Sequence, residues 1–147
     1  MIVAALALAG IFISVYLTLY KLGVIGELSC TLGSCETVNT SRWSIFLCLP
    51  VAAWGLLFYL DVFGVALLGT MPRWENEPVI SIILVVEAAI GVLFSAWLTY
   101  LELAVIHAIC IWCATSAVIV VAILLVSVAD WRELRAEPGI PNTEAGS

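Results

Sequence analysis

The chain has 147 residues, 64% of them hydrophobic and only 11% charged. A mean hydropathy of +1.19 excludes a soluble globular domain. The net charge is −6, and the five basic residues form no cluster, which excludes a nucleic-acid-binding surface.

Four stretches are long enough for a hydrocarbon core that takes roughly 20 apolar residues to cross. The first is Ile2–Tyr20, uncharged until Lys21. It lacks a basic leading segment and exceeds the apolar run of a signal peptide, so it reads as a retained span. The second runs from Leu47 to Gly69, broken by Asp61; the third from Val79 to Leu101, with Glu87 inside it; the fourth from Ile106 to Ala129. A continuous helix over 79–129 would be about 75 Å long, far more than a bilayer, so the chain must turn near Glu102–His107. These elements predict an all-α membrane protein: a four-transmembrane-helix bundle with one sizeable loop, 22–50. Residues 1–130 form one membrane domain, and 131–147 a polar, disordered tail carrying Pro138-Gly139-Ile140-Pro141.

Four spans place both termini on one side, together with the loop Thr70–Pro78. That side carries Arg73, Arg132 and Arg135 against Lys21 and Arg42 on the other, which favours cytoplasmic termini. Cys30, Cys35 and Cys110 then face the extracytoplasmic side, where disulfides persist. In loop 22–50, Val38, Ser41/Arg42 and Ile45 recur at helical spacing after Cys35. This predicts a short interfacial helix, anchored by Trp43 and lying over the bundle as a lid.

Chemistry concentrates in Cys110-Ile111-Trp112-Cys113, at the head of the last span. Two sulfurs three residues apart on a helix lie on one face within disulfide reach, and a helix N-terminus stabilises the thiolate that performs disulfide exchange. A dithiol in a membrane wall can pass two electrons between a protein disulfide and a lipid-soluble carrier. Cys110 is the shallower sulfur, within reach of a loop cysteine. Cys113 lies about 4.5 Å deeper along the axis, towards the bundle interior.

Loop cysteines Cys30 and Cys35, the Ser41-Arg42-Trp43 segment, four spans and a Cys-x-x-Cys opening the last of them resemble the vitamin K epoxide reductase family, specifically its bacterial branch. The disulfide bond protein B type usually carries its Cys-x-x-Cys in the first loop, which argues against that assignment. The resemblance covers Leu6 to about Ala129 and implies a membrane thiol–disulfide oxidoreductase of the plasma (inner) membrane that supports disulfide bond formation. It implies that Cys30 takes electrons from a reduced thioredoxin-like or DsbA-like protein, Cys35 relays them to Cys110, and Cys113 passes them to a quinone of the menaquinone, ubiquinone or vitamin K type. Each transfer is thiolate attack on a disulfide, so no metal is required. Ser41 matches a family serine, and Trp112, inside the pair, stands beside it as a substrate-binding candidate; Ser41 as a turn cap is the bland alternative. Ala117 stands where vertebrate members have a tyrosine, and the loop bearing their quinone-binding asparagine is absent. Both departures disfavour epoxide reduction.

Other residues carry plainer expectations. Cys48, in an apolar run, reads as a buried structural thiol. Glu87 reads as a protonated partner in a helix–helix hydrogen bond, and Asp61 as a carboxylate with a solvent path. His107 either tunes Cys110 or is an interfacial imidazole. The competing class is a thiolate metal protein, with Cys30, Cys35, Cys110 and Cys113 around a soft ion.

Overall fold

A computed structural model of the chain describes residues 1–31, 34–74 and 77–136. Among the described residues, four helical stretches are long and apolar enough to cross a membrane: 2–21, 51–68, 78–106 and 111–136. The helices are α1 (Ile2–Lys21), α2 (Cys35–Thr40), α3 (Val51–Leu68), α4 (Pro78–Tyr100) and α5 (Ile111–Ala136). This is the four-span helical architecture the apolar runs predict.

Small residues set how closely the helices approach. Val3, Ala4, Ala7, Gly10, Ser14 and Leu17 make the buried stripe of α1. A Cβ at Gly10 would collide with the ring of Tyr59 on α3, so glycine there is what lets the two backbones close up. Tyr59 then reaches α5, donating from its hydroxyl to the Ser116 carbonyl at 3.0 Å and lying 2.8 Å from Ser116 Oγ. Val62, Ala88 and Ile123, each 0% exposed, complete the core between α3, α4 and α5. Met1, Thr70, Glu77 and Asp130 surround one recess, which brings both ends of the described chain and the α3–α4 connection to the same end of the bundle.

At the opposite end the expected lid is shorter than its pattern. Helix α2 stops at Thr40 because Ser41 is extended (ψ 156°) and its hydroxyl donates to the Val38 carbonyl at 2.7 Å. Such local serine bonds compete with helix continuation. A 3₁₀ turn over Arg42–Ser44 follows, then a hairpin of β1 (Ile45–Phe46) and β2 (Leu49–Pro50) pairing Ile45 with Pro50 and Phe46 with Leu49. Trp43 is exposed, with the Arg42 guanidinium 5.6 Å from its ring centre. The hairpin turn places Leu47 (φ 50°) and Cys48 (φ 68°) in the left-handed region, as a two-residue turn between tightly twisted strands demands. Cys48 is exposed rather than buried: the turn points it away from the core. The second span therefore begins at Val51, after Pro50, instead of at Leu47. Trp54 Nε1 donates to Phe46 O at 2.9 Å and Phe46 meets Phe94 edge-on at 6.3 Å, holding the hairpin over α3 and α4.

The turn expected near Glu102–His107 has a specific form. Helix α4 widens into a π-helical turn over Leu101–Ile106 and ends at His107, whose φ of 54° and ψ of 34° are left-handed. A left-handed residue terminates a helix by turning the next N–H back to an earlier carbonyl; here Ala108 N–H donates to Glu102 O at 3.1 Å. At the far end α5 continues past 130 to Ala136, where the Arg135 guanidinium lies 4.4 Å from the Trp131 ring centre. Helix thus occupies the first six residues of the segment expected to be a disordered tail, and 137–147 lie outside the described residues.

Candidate functional site

The reversal after α4 delivers Cys110 one residue ahead of α5, and the loop is tied to the same point. Ser34 N–H donates to Ile109 O at 2.9 Å. Cys35, the first residue of α2, and Cys110 are 1% and 0% exposed and share one buried cluster with Leu17 and Leu28. Cys30, Trp112 and Cys113 pack against that cluster. All four cysteines singled out by their spacing therefore converge at one end of the bundle. Cys30 and Cys35 form a disulfide (Cα–Cα 6.2 Å), while Cys110 and Cys113 are thiols.

Two polar anchors hold the loop pair in register. Trp112 Nε1 donates to Ser29 O at 3.0 Å, and Ser29 N–H donates to Tyr16 Oη at 2.9 Å, with the Tyr16 and Trp112 rings 5.3 Å apart. From the other side, Asn39 Nδ2 donates to Cys35 O at 3.0 Å. Lys21, at the end of α1, donates to Asn39 O and to Ser44 Oγ, both at 2.6 Å. Lys21 went unremarked as a site residue in the sequence; its only signal was being the first charge after an apolar run.

Glu102 was also missed. It is 6% exposed, and its Oε2 accepts the Cys110 N–H at 3.2 Å. Cys113 lies within hydrogen-bonding reach of both the Glu102 carboxyl group and the Cys110 sulfur. The hydrogen bond from Cys113, helped by the N–H groups of Cys113 and Trp112, draws the Cys110 thiol down to about 7. It does so against burial and the Glu102 charge, both of which oppose ionisation. Cys110 is thus the sulfur made ready to ionise, as an exchanging thiol must be.

A cavity of about 320 Å³ lies between the lid and the four long helices, at the lower end of the usual size for a small-molecule site. Phe58, Phe94 and Leu98 supply apolar wall, and Cys113, Glu102 and Ser41 reach it. Gly91 keeps the wall open to its neighbours: a Cβ there would lie 2.6 Å from Phe58 Cζ and 2.8 Å from Val120 Cγ2. The lining is mostly aromatic and aliphatic, with a few hydroxyl and carboxyl groups. Ser41 caps α2 and also lines the cavity. Trp112 does not line it; it braces the loop instead.

The remaining candidates fall elsewhere. His107 is exposed and serves the turn through its backbone. Glu87 on α4 faces Asp61 on α3, and its Oε2 is buried with no hydrogen-bond partner among the described residues. Among the described residues no group of three or more His, Cys, Asp or Glu side chains is placed to hold a metal ion. Two of the four sulfurs invoked for a metal site are bonded to each other.

The model of the vitamin K epoxide reductase family matches residues 1–128. That match spans all four long helices, the loop with Cys30 and Cys35, and the Cys110–Cys113 pair that the fold draws to a single end. It accounts for a multi-pass membrane protein with a pair of cysteines able to form a disulfide beside a second pair of thiols. The chain belongs to the vitamin K epoxide reductase family, whose members are membrane thiol–disulfide oxidoreductases.

Proposed function

We propose that the chain oxidises a thioredoxin-like or DsbA-like protein and delivers the electron pair to a quinone, supporting disulfide bond formation outside the plasma membrane. The observation that carries this reading is the division of sulfurs: Cys35 and Cys110 share one buried cluster, while Cys113 reaches the cavity wall. Loop 22–50 faces the extracytoplasmic side and the segment beyond 130 the cytoplasm, as the arginines at 73, 132 and 135 favour.

The steps follow from which sulfur meets which. A thiolate of the reduced partner protein attacks Cys30 and expels Cys35 as a thiolate. The partner's second thiol then resolves the mixed disulfide, so that the partner leaves oxidised and Cys30 is freed as a thiolate. The Cys35 thiolate, buried beside Cys110, attacks Cys110 of an oxidised Cys110–Cys113 pair and expels Cys113 as the leaving thiolate. Cys30 then attacks Cys35, which restores the loop disulfide and leaves Cys110 and Cys113 reduced. A quinone supplies a two-electron, two-proton sink within the membrane. Cys113 faces the cavity that would hold it, and Ser41 lines the lid side of that cavity. Re-forming the Cys110–Cys113 bond releases the electron pair and readies the chain for the next cycle.

The test is anaerobic mixing of the purified protein, a dithiol and a soluble ubiquinone or menaquinone analogue. Hydroquinone forms catalytically with the native chain and not with Cys113→Ala. Equal rates for the two proteins would overturn the reading.

A further inference from the structure

Glu102 is a buried carboxyl group that the cysteine relay leaves without a task. It is held in place from two directions: its own carbonyl accepts the Ala108 N–H at 3.1 Å, and its Oε2 accepts the Cys110 N–H at 3.2 Å. It is in hydrogen-bonding reach of Cys113 and lines the same cavity. Among the described residues no lysine or arginine pairs with its carboxyl group, so ion pairing does not explain it. An acidic side chain buried in an apolar span is costly and is retained where it handles protons.

We infer that Glu102 is a catalytic residue that takes the proton of the Cys113 thiol and delivers it to the cavity as the Cys110–Cys113 disulfide closes. The inference rests on the reading of that cavity as the quinone site and assigns the proton path the relay requires. Closing the pair breaks two S–H bonds, forms one S–S bond and releases two electrons and two protons. Reduction of a quinone to its hydroquinone consumes the same two electrons and two protons. Glu102 moves the first proton: the Cys113 S–H bond breaks, an O–H bond forms on the carboxylate, and that proton passes on to a carbonyl oxygen in the cavity. The second proton leaves Cys110 to solvent and is matched by one taken from solvent. Cys110 needs no such base, because the hydrogen bond from Cys113 already favours its thiolate. Cys113 is the donor in that bond and must lose its proton to a different group. Glu102 is the acidic group placed against it.

The test compares native protein with Glu102→Gln and Glu102→Asp. Glutamine preserves an acceptor for the Cys110 N–H but cannot carry a proton. In single-turnover oxidation of the reduced protein by a ubiquinone analogue, Glu102→Gln should close its disulfide about 100-fold more slowly, the scale for loss of a general base. Glu102→Asp should recover a large part of that loss. Independently of quinone, chemical oxidation of the pair should produce an infrared C=O band of a protonated carboxyl group. The band should be missing in Glu102→Gln and shifted in Glu102→Asp. Should the glutamine variant fail to fold, the shift between the native and aspartate bands decides. Unchanged closure in Glu102→Gln, or a band that neither substitution alters, overturns the inference and leaves the relay standing. Native protein that reduces no quinone at all overturns the relay, and the infrared band still decides whether Glu102 titrates with the pair.

Discussion

Cys110 and Cys113 share a motif, yet their surroundings differ: Cys110 is buried beside Cys35, and Cys113 reaches the cavity. Without Cys113 to close onto Cys110, only Cys30 can resolve a bridge between Cys35 and Cys110, so Cys113→Ala should accumulate more of that disulfide than the native chain, seen on unreduced proteolysis as loop and α5 fragments joined. Cys110→Ala should not trap a Cys35–Cys113 bridge, because Cys113 lies on the cavity side; equal trapping would show the pair has no polarity. The same asymmetry has a pH signature. Cys110 ionises near 7 because Cys113 donates to it, so exchange with the loop should rise with pH through that region. In Cys113→Ala the thiolate absorbance of Cys110 should move up towards the ordinary cysteine value of about 8.5, and an unmoved midpoint would refute the assigned donor. Cys48 stands outside this circuit, exposed at a hairpin tip, and Cys48→Ala should keep most of the quinone-reducing activity in the same assay.

At the scale of elements, the joints are made by small residues and a few directed bonds. Gly10→Leu should unfold the bundle at lower temperature by roughly 1–3 kcal/mol, the usual cost of overpacking, because the Tyr59 ring is itself fixed by Ser116. Tyr59→Phe should cost about 1 kcal/mol by losing that hydrogen bond. Thermal unfolding in detergent measures both, and a Gly10→Leu protein as stable as native would contradict the close α1–α3 approach. These elements differ in how openly the sequence declares them. The spans were legible because apolar runs of bilayer length have few other uses, and the Cys-x-x-Cys announced its own chemistry by spacing. The hairpin was hidden because left-handed turn residues are usually signalled by Asn or Gly, whereas here Leu47 and Cys48 take that conformation in a stretch that scans as membrane-spanning. Glu102 was hidden for a geometric reason. Only the π-helical turn and the left-handed His107 bring it back to Cys110, eight residues on, and no periodic pattern encodes that reversal.

At the scale of the whole molecule, the bundle has two unlike ends. One gathers Met1, the α3–α4 connection and the end of α5; the other gathers the lid, both cysteine pairs and the cavity. On the proposed orientation, a membrane-impermeant thiol reagent applied after mild reduction should label Cys30 or Cys35 only from the extracytoplasmic side. Labelling from the cytoplasm alone would overturn the compartment and the class of protein partner. Lys21 ties the first span to the lid through Asn39 and Ser44. Lys21→Met should loosen the lid and speed proteolysis of the loop while leaving the four spans folded.

The burial of Cys35 against Cys110, with Cys113 beyond them on the cavity wall, also constrains how the two substrates are handled in time. In the relay proposed above no single sulfur serves both the water-soluble protein and the lipid-soluble acceptor, so neither would need the other present to complete its half of the cycle. Turnover then belongs to the double-displacement type: reciprocal plots against one substrate, taken at several concentrations of the other, should run parallel. On the same proposal, two cysteine pairs in series would hold two electron pairs when acceptor is scarce, a small reservoir between a soluble pool and a membrane pool that fluctuate independently.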